Sequence, residues 1–126
     1  MSQLEKVAPP RLETLRVRID GTAGVVLTGT ITSKDPSADV GPFLKAVHEA
    51  VLADKLSELR VDVSGLSFVN SSAIRLFVDW ASWIKASKTG SYKLRFATNR
   101  HVTWQKTSFM ALKSLAEDVL SIEQVD

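Results

Sequence analysis

The stretch "SGLSFVNSSAIRLFVDW", residues 64–80, joins an apolar run patterned like a strand to one spaced like a helix. Three small polar residues, Asn70, Ser71 and Ser72, stand at the junction. Just upstream, "ELRVDVSG" sets Leu59, Val61 and Val63 against Arg60, Asp62 and Ser64, the alternation of a half-buried strand. Downstream, the helix that NSS opens runs to about Ala86. The chain thus raises a question at one point: NSS either merely starts a helix or presents hydroxyls that another molecule can reach.

Outward from the junction, strand and helix signals keep alternating. Residues 1–13, "MSQLEKVAPPRLE", are polar with a Pro9-Pro10 pair and read as a flexible arm, leaving residues 14–126 as one domain. "TLRVRID" sets Leu15, Val17 and Ile19 opposite Arg16, Arg18 and Asp20. The turn signal "GTAG" and the apolar "VVLTGTI" then complete an antiparallel hairpin. "SKDPSADVGP" reads as a loop. Phe43, Leu44, Val47, Val51 and Leu52 line one face of the helix after it, with Pro42 confined to the first turn. "YKLRFAT" is another alternating strand, a third helix spans about His101 to Leu115, and "VLSIEQV" is a closing strand.

The predicted strands are therefore 14–20, 24–31, 58–64, 91–97 and 118–123. The order β-β-α-β-α-β-α-β predicts an α/β fold with a mostly parallel four- or five-stranded sheet and one antiparallel edge strand. Strands covered on both faces would be apolar throughout, yet these alternate, so helices are expected mainly on one face. The other face would carry Arg16, Arg18, Arg60, Lys93 and Arg95 with Asp62 among them, as a solvated surface or as a seat for an anionic partner.

Composition narrows the function. The 126 residues are 44% hydrophobic and 24% charged, with a net charge of +2, the balance of an ordinary soluble domain. A nucleic-acid binder would show a stronger and more clustered basic excess. Without cysteine there is no disulfide framework, thiol nucleophile or thiolate metal site. His48 and His101 lack ligand spacing and read as surface or helix-end residues. No G-x-S-x-G elbow, Walker loop or Gly-rich dinucleotide turn occurs, so neither catalysis nor a cofactor or metal is expected. No apolar run approaches the roughly 20 residues of a membrane span. The N-terminus lacks the apolar core of a signal peptide, and a cytoplasmic protein is expected.

Asn and Ser are favoured helix caps because a side-chain oxygen accepts a bond from an unpaired N–H of the first turn. One cap suffices and three candidates stand in a row. The run is one cap with two bystanders, or a cap beside a presented hydroxyl. It follows the carboxyl end of a strand, where ligands and partners of such sheets bind, and a helix N-terminus favours negative charge. A phosphate there would lie within reach of Arg75. On a helical wheel Arg75, Asp79, Ser82 and Ala86 share one stripe, while Ala73, Phe77, Ala81 and Ile84 face the sheet. Leu76 and Trp83 border the polar stripe beside Ser72, with Trp80 further round. Aromatics at this spacing serve core or interface. Here the wheel predicts partial exposure of Leu76 and Trp83, which suits a protein-binding surface. In the third helix Phe109, Leu112, Leu115 and Ala116 form one packing face, Trp104 lies at its edge and Met110 points away.

"LRVDVSGLSFVNSSAIRLFVDW" resembles the signature region of STAS domains, specifically the SpoIIAA-like anti-sigma factor antagonists. In that family a strand ending Asp-Leu-Ser precedes a segment Phe-(Ile, Val or Met)-Asp-Ser-Ser-Gly-Leu, whose first Ser is phosphorylated. The strand order matches from about Thr14, including Gly29 near the end of the second strand. The resemblance implies a STAS fold, Asp62 as the strand aspartate, Ser71 as the phosphorylated serine (alternatively Ser72) and Ser72 as its neighbour; Ser72 is expected to serve chiefly as the cap. Asn70 stands where the family has Asp, and Ala73 where it has Gly. The Asn removes a carboxylate beside the acceptor hydroxyl, so less like charge opposes an incoming phosphate. "NSSAIR" is also similar to a SpoIIAA-like subgroup that regulates biofilm-linked diguanylate cyclases.

The function so implied is that of a non-enzymatic partner-switching module. Asn70, Ser71, Ser72, Arg75, Leu76, Asp79 and Trp83 form its partner surface. A GHKL-type anti-sigma factor with serine kinase activity binds and phosphorylates it, and a serine phosphatase resets it. The alternative is a STAS scaffold or accessory subunit, never phosphorylated, that regulates a transporter or a diguanylate cyclase. Small-ligand binding at the sheet rim rests on fold analogy alone.

Overall fold

The computed structural model describes residues 2–87 and 92–125. Its elements are β1 (Leu15–Ile19), β2 (Gly24–Ile31), α1 (Pro36–Asp39), α2 (Gly41–Ala53), β3 (Glu58–Val69), α3 (Ser71–Ala86), β4 (Lys93–Asn99), α4 (Thr103–Leu115) and β5 (Leu120–Val125). Ser91, expected to begin a strand, lies outside the described residues, as do Met1 and Asp126 at the ends of the expected arm and domain.

β1 pairs antiparallel with β2, and β2, β3, β4 and β5 follow in parallel, giving the sheet order β1-β2-β3-β4-β5. The mostly parallel sheet with one antiparallel edge is thus present, with five strands. Each parallel crossover steps in the same direction. Because such crossovers are right-handed, steps in one direction leave their helices on the same face. Leu59, Val61 and Val63 of β3 and Leu94 and Phe96 of β4 are buried on that face. Phe96 meets Phe77 of α3 and Phe109 of α4 at ring separations of 5.4 and 5.1 Å. On the opposite face Arg16 is exposed and Arg60 and Arg95 are partly so.

β3 runs five residues past the Ser64 at which alternation ends. Its inward positions are Leu59, Val61, Val63, Leu66 and Val69, because two register shifts against β2 each insert an extra residue. Such bulges break the period of two that reveals a strand in sequence. Gly29 of β2 sits beside one of them with φ at +99°, and a Cβ built on it would lie 2.1 Å from the Thr14 carbonyl oxygen. Only glycine fits there.

Three further features depart from the sequence reading. Within the arm, a 3-10 turn over Leu4–Lys6 fully buries Leu4. The N–H groups of Gln3 and Leu4 donate to the Asp54 carboxylate at 2.8 and 3.1 Å, which holds that carboxyl below its ordinary range. The segment read as one loop contains the short α1, started by Pro36 in its first turn. Leu115, expected to pack, is 67% exposed, because α4 ends there and the backbone leaves the helix at Ala116. Among the described residues no helix is long and apolar enough to cross a membrane.

Gly29→Ala should cost about 1–3 kcal/mol in thermal or denaturant unfolding from the torsion alone, and more from the clash with Thr14. Gly21→Ala, also at positive φ but in open space, should cost less. Equal losses would show that the close approach to Thr14 contributes nothing.

Candidate functional site

Asn70 lies between β3 and α3 with extended backbone, φ −82° and ψ 171°. Its Oδ1 accepts the Ala73 N–H at 2.9 Å, and its Nδ2 donates to the Ser33 carbonyl at 2.8 Å. Its own N–H donates to the Ile31 carbonyl at 3.0 Å. The cap expected at Ser72 is therefore Asn70. An N-cap precedes the helix with non-helical torsions, and Ser72 is already the second residue of α3. A carboxylate would cap the helix but would face the Ser33 carbonyl with no proton to give.

With the cap supplied by Asn70, Ser71 and Ser72 are both exposed. Ser72, Arg75, Leu76 and Asp79 line a shallow depression together with Lys34, Asp35, Pro36 and Ser37 from the connection after β2. That connection is tied internally: the Ser33 hydroxyl meets the Asp39 carboxylate and accepts the Asp35 N–H at 3.1 Å, and Ser37 donates to Asp35 at 2.6 Å. Four of the seven predicted site residues thus come together, Asn70 and Ser71 adjoin them in sequence, and Trp83 stands two turns beyond Leu76.

Leu76 corrects the wheel. It is 4% exposed rather than partly open, because the unforeseen α1 and the start of α2 close over it. A Cβ on Gly41 would sit 3.7 Å from its Cδ1. Trp83 is half-buried, with the His48 ring 6.0 Å away and the Lys45 ammonium 4.7 Å from its ring centre. His48 is itself a second correction: it lies on the inner side of α2 and is 5% exposed.

The surroundings of His48 are mostly apolar and aromatic. Its Nδ1 lies 2.8 Å from the Tyr92 hydroxyl, which accepts from the Trp80 indole N–H at 2.9 Å. The indole only donates, so the phenol proton is free to be given to Nδ1 when that nitrogen is unprotonated. Burial, and next the Lys45 charge, lower the His48 pKa below 6.5 against the opposing effect of Glu49. Burial likewise raises the Tyr92 pKa.

On the open sheet face Arg18, Arg60 and Arg95 have internal partners, Arg18 through Asp20 at 3.4 Å. Arg60 is bonded to Glu123 at 3.1 Å and lies 3.8 Å from Asp62, and Arg95 meets Glu58 at 2.6 Å and Glu123 at 3.8 Å. The bond from Glu123 raises the Arg60 pKa. These pairs favour the solvated-surface reading of this face over an anionic partner. Among the described residues no group of three or more His, Asp or Glu side chains is placed to hold a metal ion. The strand order never reverses, so the sheet lacks the switch point at which small ligands bind in doubly wound folds.

Sequence reasoning missed Lys34 and the Ser33 carbonyl, whose proximity to NSS depends on where a loop crosses the sheet rim. It also missed Phe68, half-exposed at 50% beside the junction. The one available signal was the shift in spacing from Val63 to Leu66.

Neither a protein-family model nor a curated protein sequence matches this chain. In three dimensions it is similar to SiaC in the crystal structure of the diguanylate cyclase SiaD in complex with its activator SiaC from Pseudomonas aeruginosa. The TM-score is 0.66 at 18% identity, covering 91% of this chain and 95% of that one. The fold is shared. At that identity the likeness concerns sheet order and helix placement and leaves the site residues to their own geometry.

Two outcomes follow from this geometry. Asn70→Ser keeps a cap but loses the bond to Ser33, at a cost of about 0.5–1.5 kcal/mol, and Asn70→Ala should cost roughly 1 kcal/mol more. Chemical denaturation would read both, and identical losses would remove the separate role of the Ser33 bond. For His48, the unfolded chain protonates near pH 6.5 and the folded chain only below it. Below that pH the unfolded state binds more protons, so stability should fall as the pH is lowered. His48→Gln should flatten the dependence of Tm on pH below 6.5.

Proposed function

We propose that this chain is a non-enzymatic regulatory module that binds a partner protein, its affinity set by phosphorylation of Ser71. The observation that carries this reading is the division of labour at the head of α3. Asn70 caps the helix, so the exposed Ser71 hydroxyl at its first position has no structural task. The fold it shares with SiaC, an activator found in complex with its cyclase, supports a role exercised through a protein partner, as does the resemblance to SpoIIAA-like antagonists.

In this reading a GHKL-type serine kinase transfers the γ-phosphoryl group of ATP to the Ser71 oxygen, and a serine phosphatase removes it. The group adds about −1.5 to −2 charges at neutral pH. The helix N-terminus stabilises that charge, while an acidic or apolar partner surface resting on the rim is repelled. Neutral Asn70 leaves less charge opposing the transfer than the family's Asp would. A second reading is favoured by the same structural neighbour: an accessory protein that is never phosphorylated and regulates a diguanylate cyclase.

Mass spectrometry of the protein isolated from its native cells separates the two, with one phosphate on Ser71 expected. Labelling by a cognate kinase should disappear in Ser71→Ala. Labelling that survives there and vanishes in Ser72→Ala would move the switch by one residue. A protein unmodified under all growth conditions that still binds a cyclase would establish the second reading instead.

A further inference from the structure

On the far side of the Ser33–Asp39 segment from Ser72, a cleft of about 260 Å³ opens between the start of β1, the end of β2 and α1. Its floor is apolar, formed by the buried Leu15, Ile31 and Val40 with half-buried Leu12. Thr14, Thr30 and Thr32 line its walls. The two charged residues of the lining are both acids, Glu13 and Asp39, in a chain whose net charge is +2. No cation is part of the lining: Lys34 lines the depression beside Ser72, and Arg11 and Arg16 line an adjoining hollow that shares Leu12, Glu13 and Leu15 with the cleft.

The walls are held in place. The Thr30 N–H donates to the Thr14 carbonyl at 2.8 Å, and the Thr14 hydroxyl donates to the Thr30 carbonyl at 3.2 Å. Ser33 is fixed by Asn70 on one side and by Asp39 on the other.

The dimensions select the occupant. The cleft is smaller than the roughly 300–1,000 Å³ typical of small-molecule sites and accommodates one apolar side chain. Burying such an anchor in a pocket is how protein interfaces concentrate their binding energy. Two carboxylates at the mouth favour cations on either side of it.

We propose, resting on the partner-binding reading above, that this cleft receives a protein segment bearing one branched apolar side chain flanked by lysine or arginine. Ser71 governs contact at the helix start, and Glu13 and Asp39 select the segment bound here. The partner thus touches the rim on both sides of the Ser33–Asp39 segment.

NMR titration of the isotope-labelled full chain tests this with a blocked synthetic heptapeptide carrying a single Leu between lysines, and with its counterpart carrying glutamates. The basic peptide should shift the amides of Thr14, Thr30, Thr32 and Asp39, and bind about tenfold more tightly than the acidic one. Glu13→Gln should weaken it about fivefold while leaving Tm unchanged. Equal affinity for the two peptides, shifts confined to the Ser72–Asp79 depression, or no shift at millimolar peptide would each overturn the proposal. So would cleft shifts that grow with protein concentration alone, which would assign the cleft to a second copy of the chain. The titration needs no native partner, so its failure leaves the Ser71 reading to its own labelling test.

Discussion

Asn70 holds three segments at once through its side-chain amide and its backbone N–H, and the geometry of the candidate site depends on it. One end of the amide accepts from the first turn of α3, the other donates to the segment after β2, and the backbone N–H continues the pairing with β2. Aspartate could do the first task but has no proton for the second, and serine has a single oxygen for both. The amide thereby decides which residues are scaffold and which are presented. Once it caps the helix, the two serines beside it face solvent, and α1 is brought close enough to cover Leu76.

The row of cations expected on the open sheet face is largely interleaved with acids once the charges are placed. Arg60 and Arg95 share Glu123, with Asp62 and Glu58 beside them, so the central open face is a mosaic of both signs. Partly exposed pairs like these add little stability each. Their effect is to offset part of the positive charge on that face and with it the pull on a polyanion. The helix start at Ser71 is a place where charge can be changed.

Fold and site were legible to different depths for different reasons. Alternation in β1, β3 and β4 and the helical spacing of Phe43, Leu44, Val47 and Val51 are local signals, and they led directly to the sheet and its single helical layer. The limits came from events that depend on what lies across space. β3 appeared to stop at Ser64 because bulges against β2 changed its period. Leu76 appeared open because a helical wheel knows nothing of a four-residue helix that packs over it. His48 appeared peripheral because its partners, Tyr92 and Trp80, are distant in sequence. Even the cap was displaced by two residues, since Asn and Ser are near-equal candidates until the backbone torsion of each is known.

The strand order has a bearing on how the molecule is made. Every strand lies next to its predecessor in the chain, so the sheet grows from one edge in the order in which the residues are synthesised. Pairings of this kind close short loops and avoid the long searches that slow folding in sheets of mixed order. A nascent chain that has released α3 already possesses β1, β2 and β3, the Asn70 bridge and the cleft beside it. β4, α4 and β5, which complete the far edge, are still to come. The part of the sheet proposed to meet partners is therefore delivered by the ribosome before the opposite edge.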